Sequence, residues 1–439
     1  MELQSRKKWT VNGTSRIRPA QETLEEVIPI SKMIGVTRLA DITDMDVLRI
    51  PNYSAVLPGT EDYIWVYSGK GPTKEHAMAS ALMESIERYS SLPSGGPRKF
   101  VRSSYAELSK TNTVLHPDRI VEPVRFEYRD DMLMDWLPGH DLVSSEQVMV
   151  PASIALFRYT PQPPAVNPFA YFHTNGLASG NVMEEAVCHA LCEVVERDAM
   201  SLAELRASAI PFHILRRIIH SLNSAGIRVP PIPAEKFVDD PGVFPDVDIS
   251  GIEFDPVNKV VEMFERAGIS LKVKDITSDT GIPTFNASSV EWVTHDYGYL
   301  AEGHGAHPDA RIALLRAITE VSQTRAANIQ GARDDLRKIK YGGQNTDDRR
   351  AWQFMRSTRK IKFSQVKTFF NEDILDDIKL ILSRLKGVGL SQAVIVDLTN
   401  PEIRIPVVRA IVPGLETFKI TKSVMGMRAR ACFGQWKSR

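Results

Sequence analysis

The sequence predicts an α+β fold in which a strand, a glycine turn and a helix recur three times around a common centre. Three observations support this prediction. A helix with the pattern A-L-x-E-x-x-E-R occurs twice and a third helix varies it; each of these helices follows an aromatic run that ends at glycine; and strand and helix patterns do not alternate regularly. Regular alternation is typical of a doubly wound sheet, so mixed sheets with packed helices fit better.

The composition is that of an ordinary globular protein. The chain has 439 residues, of which 43% are hydrophobic and 25% charged, enough for a large core. Its 54 basic and 54 acidic residues cancel, so no overall field attracts nucleic acid or an anionic membrane. With three cysteines and no apolar run of about 18 residues, we expect a reduced, cytoplasmic protein without a transmembrane helix.

Residues 1–60 form a first segment with their own helix and strand patterns. The stretch QETLEEVIPISKMIG (21–35) has the periodicity of a helix, and VTRLADIT (36–43) has the pattern of a strand. The repeats begin after this segment, so we treat residues 61–439 as the larger domain.

Three strand-turn-helix units follow. The strand-like runs are DYIWVYSGKGPT (62–73), FAYFHTNGLASGN (169–181) and DYGYLAEGHGAHP (296–308). The helical segments are SALMESIERYS (80–90), HALCEVVERDA (189–199) and RAITEVSQTRA (316–326), with Gln323 in the second acidic position of the last. Neither a Walker A sequence nor G-x-G-x-x-G is present, so a standard P-loop or Rossmann site is not expected.

The starts of these helices carry capping signals. Thr73 follows Pro72 and can cap the first helix. Asn181 and Glu184 match a capping box at the second, and Pro308 suits the first turn of the third. A glycine turn before a helix presents free backbone N–H groups, which suits a phosphate.

Acidic residues share one face of each of the first two helices. Helical spacing places together Ser80, Glu84 and Glu87 in the first, and Glu185, His189, Glu193 and Glu196 in the second. The residues around them are mostly apolar rather than lysine. The acids therefore border the apolar face of each helix.

Two interpretations of these acids remain open. They could be surface residues that pair with Arg88 and Arg197 on the same helices. Alternatively, the three helices pack around a common centre, where buried carboxylates must be protonated, paired or bound to cations. Such a cluster suits Mg²⁺, which prefers oxygen ligands, and predicts a Mg-nucleotide site outside the common nucleotide folds.

Other metal patterns are weaker. His304 and His307 form H-x-x-H beside glycine and proline, without a third ligand nearby, which favours a loop role. Cys188, His189 and Cys192 have the spacing of a zinc half-site. The two cysteines occupy apolar positions of the repeat, however, which favours core packing.

Two stretches lie outside the repeats. Residues 333–362 are polar and rich in arginine and lysine, which is typical of a solvated insertion; a lid or a docking surface is the alternative. QAVIVDLT (392–399) and IPVVRAIVPGL (405–415) are β-branched runs and predict two buried strands.

In their order along the chain, these motifs resemble the YcaO family of ATP-dependent enzymes that modify backbone amides. The matching stretches are GVTRLADIT, IPNYSAV, YSGKGPTKEHAMASALMESIERYS, NGLASGNVMEEAVCHALCEVVERDA, GIPTFNAS, GHGAHPDARIALLRAITEVSQTR and VDLTNPEIRIPVVRAIVPGLE. They span most of the chain. The resemblance implies a YcaO fold in which residues 1–60 contribute to the nucleotide site and residues 61–439 form the YcaO catalytic domain.

The resemblance also implies ATP and Mg²⁺ as cofactors and assigns residues to them. The implied Mg²⁺ ligands are Glu84, Glu87, Glu193 and Glu196. The implied nucleotide contacts are Arg16, Thr23, Ser80, Asn181, Glu185, Arg197, Arg316 and Glu320. Arg197 and Arg316 would neutralise charge on the transferring phosphoryl group, and His189 would act as a general base or support a neighbouring residue.

The implied reaction is activation of a peptide amide by phosphorylation of its oxygen. Relatives attack the carbonyl with a side chain of the substrate to form an azoline, with sulfide to form a thioamide, or with an amine to form an amidine. Azoline-forming relatives often end in P-x-P-x-P, whereas this chain ends ACFGQWKSR. We therefore expect a thioamide.

The chain looks most like the stand-alone archaeal members from methanogens. These are similar to enzymes that thioamidate a glycine in the α subunit of methyl-coenzyme M reductase. The resemblance thus implies a protein or peptide substrate, a sulfide donor, a TfuA-type partner protein and a homodimer. An azoline-forming cyclodehydratase and a non-catalytic nucleotide-dependent binding module are the alternatives.

Overall fold

The structure is a computed structural model that describes residues 1–9, 15–58, 64–207, 212–229, 244–294, 297–331, 341–343, 351–354, 357, 359–421 and 424–435. In these ranges the helices are α1 (Ala20–Met33), α2 (Lys74–Ser91), α3 (Tyr105–Leu108), α4 (Ala152–Ala155), α5 (Met183–Ala207), α6 (Phe212–Ser224), α7 (Asp255–Arg266), α8 (Ala310–Gln330), α9 (Ala351–Phe354), α10 (Ile374–Gly387), α11 (Phe418–Thr421) and α12 (Met427–Gln435). Among the residues described, no helix combines the length and apolar character needed to cross a bilayer.

The strands form three mixed or antiparallel sheets, which confirms the predicted α+β class. Their bounds are β1 (Arg38–Asp41), β2 (Asn52–Pro58), β3 (Ile64–Lys70), β4 (Val101–Ser103), β5 (Met134–Asp141), β6 (Gln147–Pro151), β7 (Leu177–Ser179), β8 (Asp246–Asp248), β9 (Ser270–Asp275), β10 (Thr284–Thr294), β11 (Tyr297–Ala306), β12 (Tyr341–Gly343), β13 (Lys360–Lys362), β14 (Val394–Asp397) and β15 (Val407–Ile411). The orders are β1-β2-β3, β12-β11-β10-β9-β8-β13 and β4-β5-β14-β15-β7, with β6 paired to β5.

Each sheet contributes one of the predicted strand-turn-helix units. β3 leads into α2, β7 into α5 and β11 into α8. The second strand is much shorter than the aromatic run suggests, because residues 169–175 lie outside β7 and make one isolated bridge, between Phe169 and Val124. The predicted C-terminal strands are β14 and β15, which pair with each other and are buried.

The capping predictions hold for the first helix only. Thr73 Oγ1 accepts a hydrogen bond from the backbone N–H of His76, as predicted. The capping box at α5 is wrong, because the carboxylate that accepts from Asn181 belongs to Glu185 and not to Glu184.

The predicted place of Pro308 in the third helix is also wrong. α8 begins at Ala310, two residues later. Its N-cap is Asp309, whose carboxylate accepts from the backbone N–H of Arg311 at 2.9 Å.

The apolar faces of α2, α5 and α8 lie in three separate hydrophobic clusters. Ile86, Val195 and Ile318 are fully buried representatives, one in each cluster. Because each helix turns its apolar side to a different cluster, the polar borders of the three helices meet between them.

Glycines in the strands bring two of these helices unusually close to their sheets. A Cβ atom on Gly69 of β3 would lie 2.1 Å from the carbonyl oxygen of Ala77 in α2, and one on Gly305 of β11 would lie 2.1 Å from that of Ala313 in α8. Real Cβ atoms do not approach backbone so closely, so only glycine fits at both positions. The alanines on the helices complete the close contact.

The substitution Gly305→Ala is therefore expected to lower the free energy of unfolding. Pushing a helix away from its sheet costs about 1–3 kcal/mol or more, as overpacked cores do. Urea unfolding followed by circular dichroism measures the change. The matched control is Gly387→Ala, because a Cβ there would meet nothing within 4 Å and alanine stabilises a helix by about 0.5–1 kcal/mol over glycine. Equal unfolding midpoints for the two variants would contradict this account.

Part of the polar stretch 333–362 is packed rather than solvated. Trp352 in α9 is buried against Phe244, with ring centroids 5.2 Å apart, and the backbone carbonyl of Gln353 accepts from Ser288 Oγ at 2.8 Å. The prediction of a solvated insertion is thus wrong for α9. The alternative, a lid or a docking surface at 333–362, stays a prediction, because residues 333–340, 344–350, 355–356 and 358 lie outside the described residues.

Candidate functional site

A cavity of about 380 Å³ lies where α2, α5 and α8 meet, a size suited to a small-molecule ligand. Strands β3, β7 and β11, the start of α1 and the segment leading into it also line the cavity. All thirteen residues that the resemblance assigned to the site line it, namely Arg16, Thr23, Ser80, Glu84, Glu87, Asn181, Glu185, His189, Glu193, Glu196, Arg197, Arg316 and Glu320. The structure brings the set together, while the role of each residue stays a prediction.

The acids of α2 form one side of the cavity. Arg88 donates to Glu84 Oε1 at 3.1 Å and also to Glu87. The other oxygen of Glu87 accepts the backbone N–H of Ser179, in β7, at 3.1 Å. Glu87 is therefore held by two different units of the repeat.

The acids of α5 face those of α2. Arg197 lies 3.9 Å from both Glu193 and Glu196, and Glu196 Oε2 accepts the backbone N–H of Ala306, at the end of β11, at 3.2 Å. The ion pairs with Arg88 and Arg197 thus exist, as the surface interpretation supposed. That interpretation is nevertheless wrong about location, because Glu87 and Glu196 are buried on the cavity wall.

Burial governs the protonation of this cluster. It raises the pKa of Glu87 to about 8 against the pull of Arg88, with Glu84 and Glu193 adding to the rise. It raises the pKa of Glu193 to about 7, with Arg197 and Arg88 opposing and Glu196 adding. A bound cation stabilises the ionised form of carboxylates that are otherwise hard to ionise. Oxygen donors from two facing helices fit Mg²⁺.

These pKa values predict how stability varies with pH. Both carboxyls keep a proton in the folded chain above their ordinary pKa of 4.5. Their contribution to stability is present in full below about pH 4.5 and is lost as the pH rises through about 7 to 8. In the metal-free protein, the free energy of unfolding is expected to fall over this range, as urea titrations at several pH values would measure.

The same protons predict a pH-dependent affinity for Mg²⁺. Because the metal must displace them, its affinity is expected to rise at least about tenfold between pH 6 and pH 8, with release of protons. Calorimetry in two buffers of different ionisation enthalpy measures both quantities. An affinity that is flat across this range would argue against Glu87 and Glu193 as ligands.

The opposite end of the cavity is a network between the N-terminal segment and α5. Glu185 accepts from Asn181 Nδ2 at 2.9 Å, from Arg16 Nη1 at 3.3 Å and from the backbone N–H of Ile17 at 2.6 Å. Thr23 Oγ1 donates to Asn181 Oδ1 at 2.9 Å. Arg16 and Thr23 thus lie beside Asn181 and Glu185, although some 160 residues separate the two groups in the sequence.

The third wall comes from α8. Arg316 donates to the carbonyl oxygen of Ala306 at 3.2 Å, and Glu320 Oε2 accepts from Lys70 Nζ at 2.6 Å. Burial opposes ionisation of Glu320, but Lys70, His304 and Arg197 outweigh it and hold its pKa well below the usual range. Glu320 is therefore a carboxylate.

Sequence reasoning missed two residues of this wall. Lys70 ends β3 at the glycine turn of the first unit, a position adjacent to the motif SGKGPTK. His304 lies in β11 and not in a loop, so the loop role predicted for it is wrong; its Nε2 lies 3.0 Å from Asn286 Nδ2. His304 lies in the strand that leads into α8, the helix of Glu320. That position in the third unit could have indicated a place on the cavity wall.

His189 lies on the cavity wall as its helical spacing predicts. Its Nδ1 is 3.5 Å from Arg16 Nη2. Burial, together with Arg316 and Arg16, lowers the pKa of His189 well below the ordinary 6.5, so the imidazole is neutral. It therefore carries no charge that would compete with Mg²⁺.

Cys188 and Cys192 point away from the cavity and into a hydrophobic cluster, as core packing predicts. Their sulfur atoms and a ring nitrogen of His307 lie within 4.8 Å of one another. His307 Nδ1 accepts the backbone N–H of Asp309 at 3.0 Å, which leaves the proton of the neutral ring on Nε2. In that tautomer, neither ring nitrogen is available to a metal.

A protein-family model described as "YcaO cyclodehydratase, ATP- and Mg²⁺-binding" matches residues 68–235 and 240–416. The chain belongs to the YcaO family. The resemblance drawn from the motifs is confirmed, and ATP and Mg²⁺ are the cofactors of this family.

Two relatives match nearly end to end. An uncharacterized protein of Methanothermobacter thermautotrophicus is 34% identical over 94% of this chain and 98% of its own length. An uncharacterized protein encoded in the tfuA 3′ region of Rhizobium leguminosarum bv. trifolii is 31% identical over 94% of this chain and 91% of its own.

Solved structures confirm the YcaO fold. YcaO from Methanopyrus kandleri bound with AMPPCP and Mg²⁺ is 23% identical, with a TM-score of 0.68 over 96% of this chain and 97% of that one. A heterocyclase in complex with substrate and cofactor is also 23% identical, with a TM-score of 0.71 over 95% of this chain. This chain therefore covers about half, 54%, of the length of that heterocyclase.

Proposed function

We propose that this YcaO protein is an ATP- and Mg²⁺-dependent enzyme that converts a backbone amide of a protein into a thioamide. The observation that carries the proposal is the cavity in which four glutamates from α2 and α5 face each other beside Arg197 and Arg316. Carboxylates that bind Mg²⁺ and guanidinium groups that bind phosphate are the elements that phosphoryl transfer requires.

The residues divide into two groups along the cavity. Glu84, Glu87, Glu193 and Glu196 would hold Mg²⁺, which supplies a positive charge to the phosphate oxygens of ATP when bound. The network of Asn181, Glu185, Arg16 and Thr23 would bind the rest of the nucleotide, with Ser80 beside it. Arg197 and Arg316 orient the terminal phosphoryl group and neutralise its charge, and the Lys70–Glu320 pair fixes the wall between them.

The proposed reaction balances with sulfide as the nucleophile. Hydrosulfide adds to the amide carbon, and the amide oxygen takes the γ-phosphoryl group of ATP as the bond to the bridging oxygen breaks and ADP leaves. The carbon–oxygen bond then breaks, phosphate leaves with that oxygen and with the hydrosulfide proton, and a carbon–sulfur double bond remains. His189 is neutral and could accept a proton transiently, or it could position Arg16, which its Nδ1 faces.

The proposed substrate is a glycine in the α subunit of methyl-coenzyme M reductase, presented by a TfuA-type partner. Two relatives support this choice: one comes from a Methanothermobacter species and the other is encoded beside tfuA. We also propose that the protein works as a homodimer in the cytoplasm.

Mass spectrometry tests the proposal. Purified protein is incubated with MgATP, sulfide and a peptide of the glycine region, with and without a TfuA-type protein. We expect the peptide to gain the mass difference between sulfur and oxygen. ATP turnover with loss of one water from a peptide containing Cys, Ser or Thr would instead support the second candidate, an azoline-forming cyclodehydratase, which the description of the family favours.

The alternative in which the protein is not an enzyme is a non-catalytic nucleotide-dependent binding module. It predicts nucleotide binding without turnover under all these conditions.

A further inference from the structure

Asn286 and His304 form a buried pair in the sheet that leads into α8. They lie directly opposite each other on β10 and β11 and are 0% and 3% exposed. Asn286 Nδ2 is 3.0 Å from His304 Nε2. His304 lines the cavity, whereas Asn286 does not. The asparagine is thus one residue removed from the cavity.

The asparagine fixes the tautomer of the histidine. Because the amide nitrogen of Asn286 can only donate, His304 Nε2 is the acceptor and the proton of the ring is on Nδ1. Nδ1 lies 3.9 Å from Oε1 of Glu320, which is a carboxylate. The pair therefore directs an N–H group towards Glu320.

Asn286 occupies its position at a cost in stability. Its Oδ1 is buried without a hydrogen-bond partner among the described residues, and an unpaired buried acceptor is unfavourable. An apolar pair at these two cross-strand positions would avoid that cost. The amide is therefore explained by its bond to His304 rather than by stability.

The other oxygen of Glu320 holds Lys70. Lys70 Nζ donates to Glu320 Oε2 at 2.6 Å, and the two side chains are 20% and 24% exposed on the cavity wall. Within the described ranges this is the one hydrogen bond of Lys70 Nζ, and an ammonium group has three N–H donors. Two donors are therefore available to a ligand in the cavity.

We infer that Lys70 binds the terminal phosphate group of the nucleotide, and that Asn286 and His304 are positioning residues that act through Glu320. The inference rests on the proposed function, since it takes MgATP as the ligand. Successive contacts of 3.0, 3.9 and 2.6 Å join the four residues from the buried amide to the ammonium group. A lysine held in this way supplies a point charge to phosphate oxygens.

The surroundings of Glu320 favour the terminal phosphate over the rest of the nucleotide. Arg197 lowers the pKa of Glu320, as Lys70 and His304 do, and the proposed function gives Arg197 to the transferring phosphoryl group. The network between the N-terminal segment and α5, which would bind the rest of the nucleotide, is at the opposite end of the cavity. Lys70 thus adds a cation where the charge of ATP is greatest.

Calorimetric titration of the full chain with MgAMPPCP and with MgADP tests the inference. Lys70→Met is expected to weaken binding of MgAMPPCP at least about tenfold and to leave MgADP unchanged, because only MgAMPPCP has the terminal group. Lys74→Met is the matched control. Lys74 pairs with Asp41 at 3.6 Å and does not line the cavity, so this variant should bind both nucleotides as the wild type does.

A double-mutant cycle tests the positioning residues. His304→Leu and Asn286→Leu should each weaken binding of MgAMPPCP at least about threefold and leave MgADP unchanged. In the Lys70→Met background, neither change should weaken binding further, because both act through the ammonium group. If Lys70→Met does not fold, Lys70→Gln, which keeps a donor for Glu320, must show the same selective loss.

The outcomes separate the inference from the proposed function. If Lys70→Met binds MgAMPPCP as the wild type does, or loses MgADP equally, the assignment of Lys70 is overturned and the proposed function stands. An effect of His304→Leu that persists in the Lys70→Met background overturns the positioning roles. A wild type that binds neither nucleotide overturns both proposals.

Discussion

The substitution Glu193→Gln, alone or combined with Glu87→Gln, is expected to abolish turnover of MgATP. Glu193 on α5 and Glu87 on α2 face each other across the cavity, and each change replaces one of these two carboxylates by an amide. Neutral amides bind Mg²⁺ poorly. Loss of a group that stabilises charge in phosphoryl transfer costs about 100-fold or more in rate. Phosphate release under saturating ATP, measured over a range of Mg²⁺ concentrations, gives the size of the loss.

The result separates enzyme from binding module if partner function is measured in parallel. If a variant binds no MgATP and the partner protein still functions as well as with the wild type, the proposal that the protein is an enzyme is contradicted. Glu262→Gln is the matched control, because Glu262 makes an ordinary exposed i,i+4 pair with Arg266 on α7. We expect that control to keep full turnover, and unfolding curves should show that Glu193→Gln retains its fold.

The second large effect is expected on stability, at a buried ion pair that joins the N-terminal segment to α8. Arg325 is 1% exposed and donates to both oxygens of Asp46, at 2.9 Å and 2.8 Å, and to Glu291 at 2.8 Å. Its guanidinium also lies over the ring of Tyr299, 5.2 Å from the centroid. Arg325→Met leaves the carboxylate of Asp46 buried without its cation.

Removing one partner of such a pair costs about 3–5 kcal/mol of unfolding free energy. Urea midpoints of wild type and Arg325→Met measure the loss. In the double variant Arg325→Met with Asp46→Leu, much of the loss should be recovered, because the one carboxylate left without Arg325 is that of Glu291, which is exposed to solvent. The exposed counterpart Arg266→Met should change stability by less than about 1 kcal/mol. A loss of that small size for Arg325→Met would show that Asp46 is satisfied by other groups.

Local patterns predicted which residues of each helix share a face, and the structure brings them together at one cavity. The spacing of Glu84 and Glu87, and of Glu193 and Glu196, placed each pair on one helix face, and the structure has both pairs on the cavity wall. Thr73 caps α2 as its position indicates. These features depend on neighbours within a few residues, so the helical repeat alone decides them.

Patterns were less informative where two units meet. Asn181 and Glu184 have the spacing of a capping box, but Glu184 accepts from Arg6 and from the backbone N–H of Gln4 instead. The N-terminal segment competes for that carboxylate, and sequence spacing contains no information about it. The aromatic run 169–175 fails as a strand for a related reason, since His173 is held by Glu122 and Arg409 from other elements.

By itself, the sequence determined that two of three related helices carry paired acids, that a strand-like run ending at a glycine turn precedes each helix, and that the chain resembles an ATP-dependent amide-modifying family. Only the tertiary structure decided that Lys70 meets Glu320, 250 residues away, and that Arg409 meets His173, 236 residues away. The physical reason is that helix periodicity acts over one or two turns. Contact between distant charges depends on how three hydrophobic clusters orient their helices, and burial at their meeting point then sets which acids keep a proton.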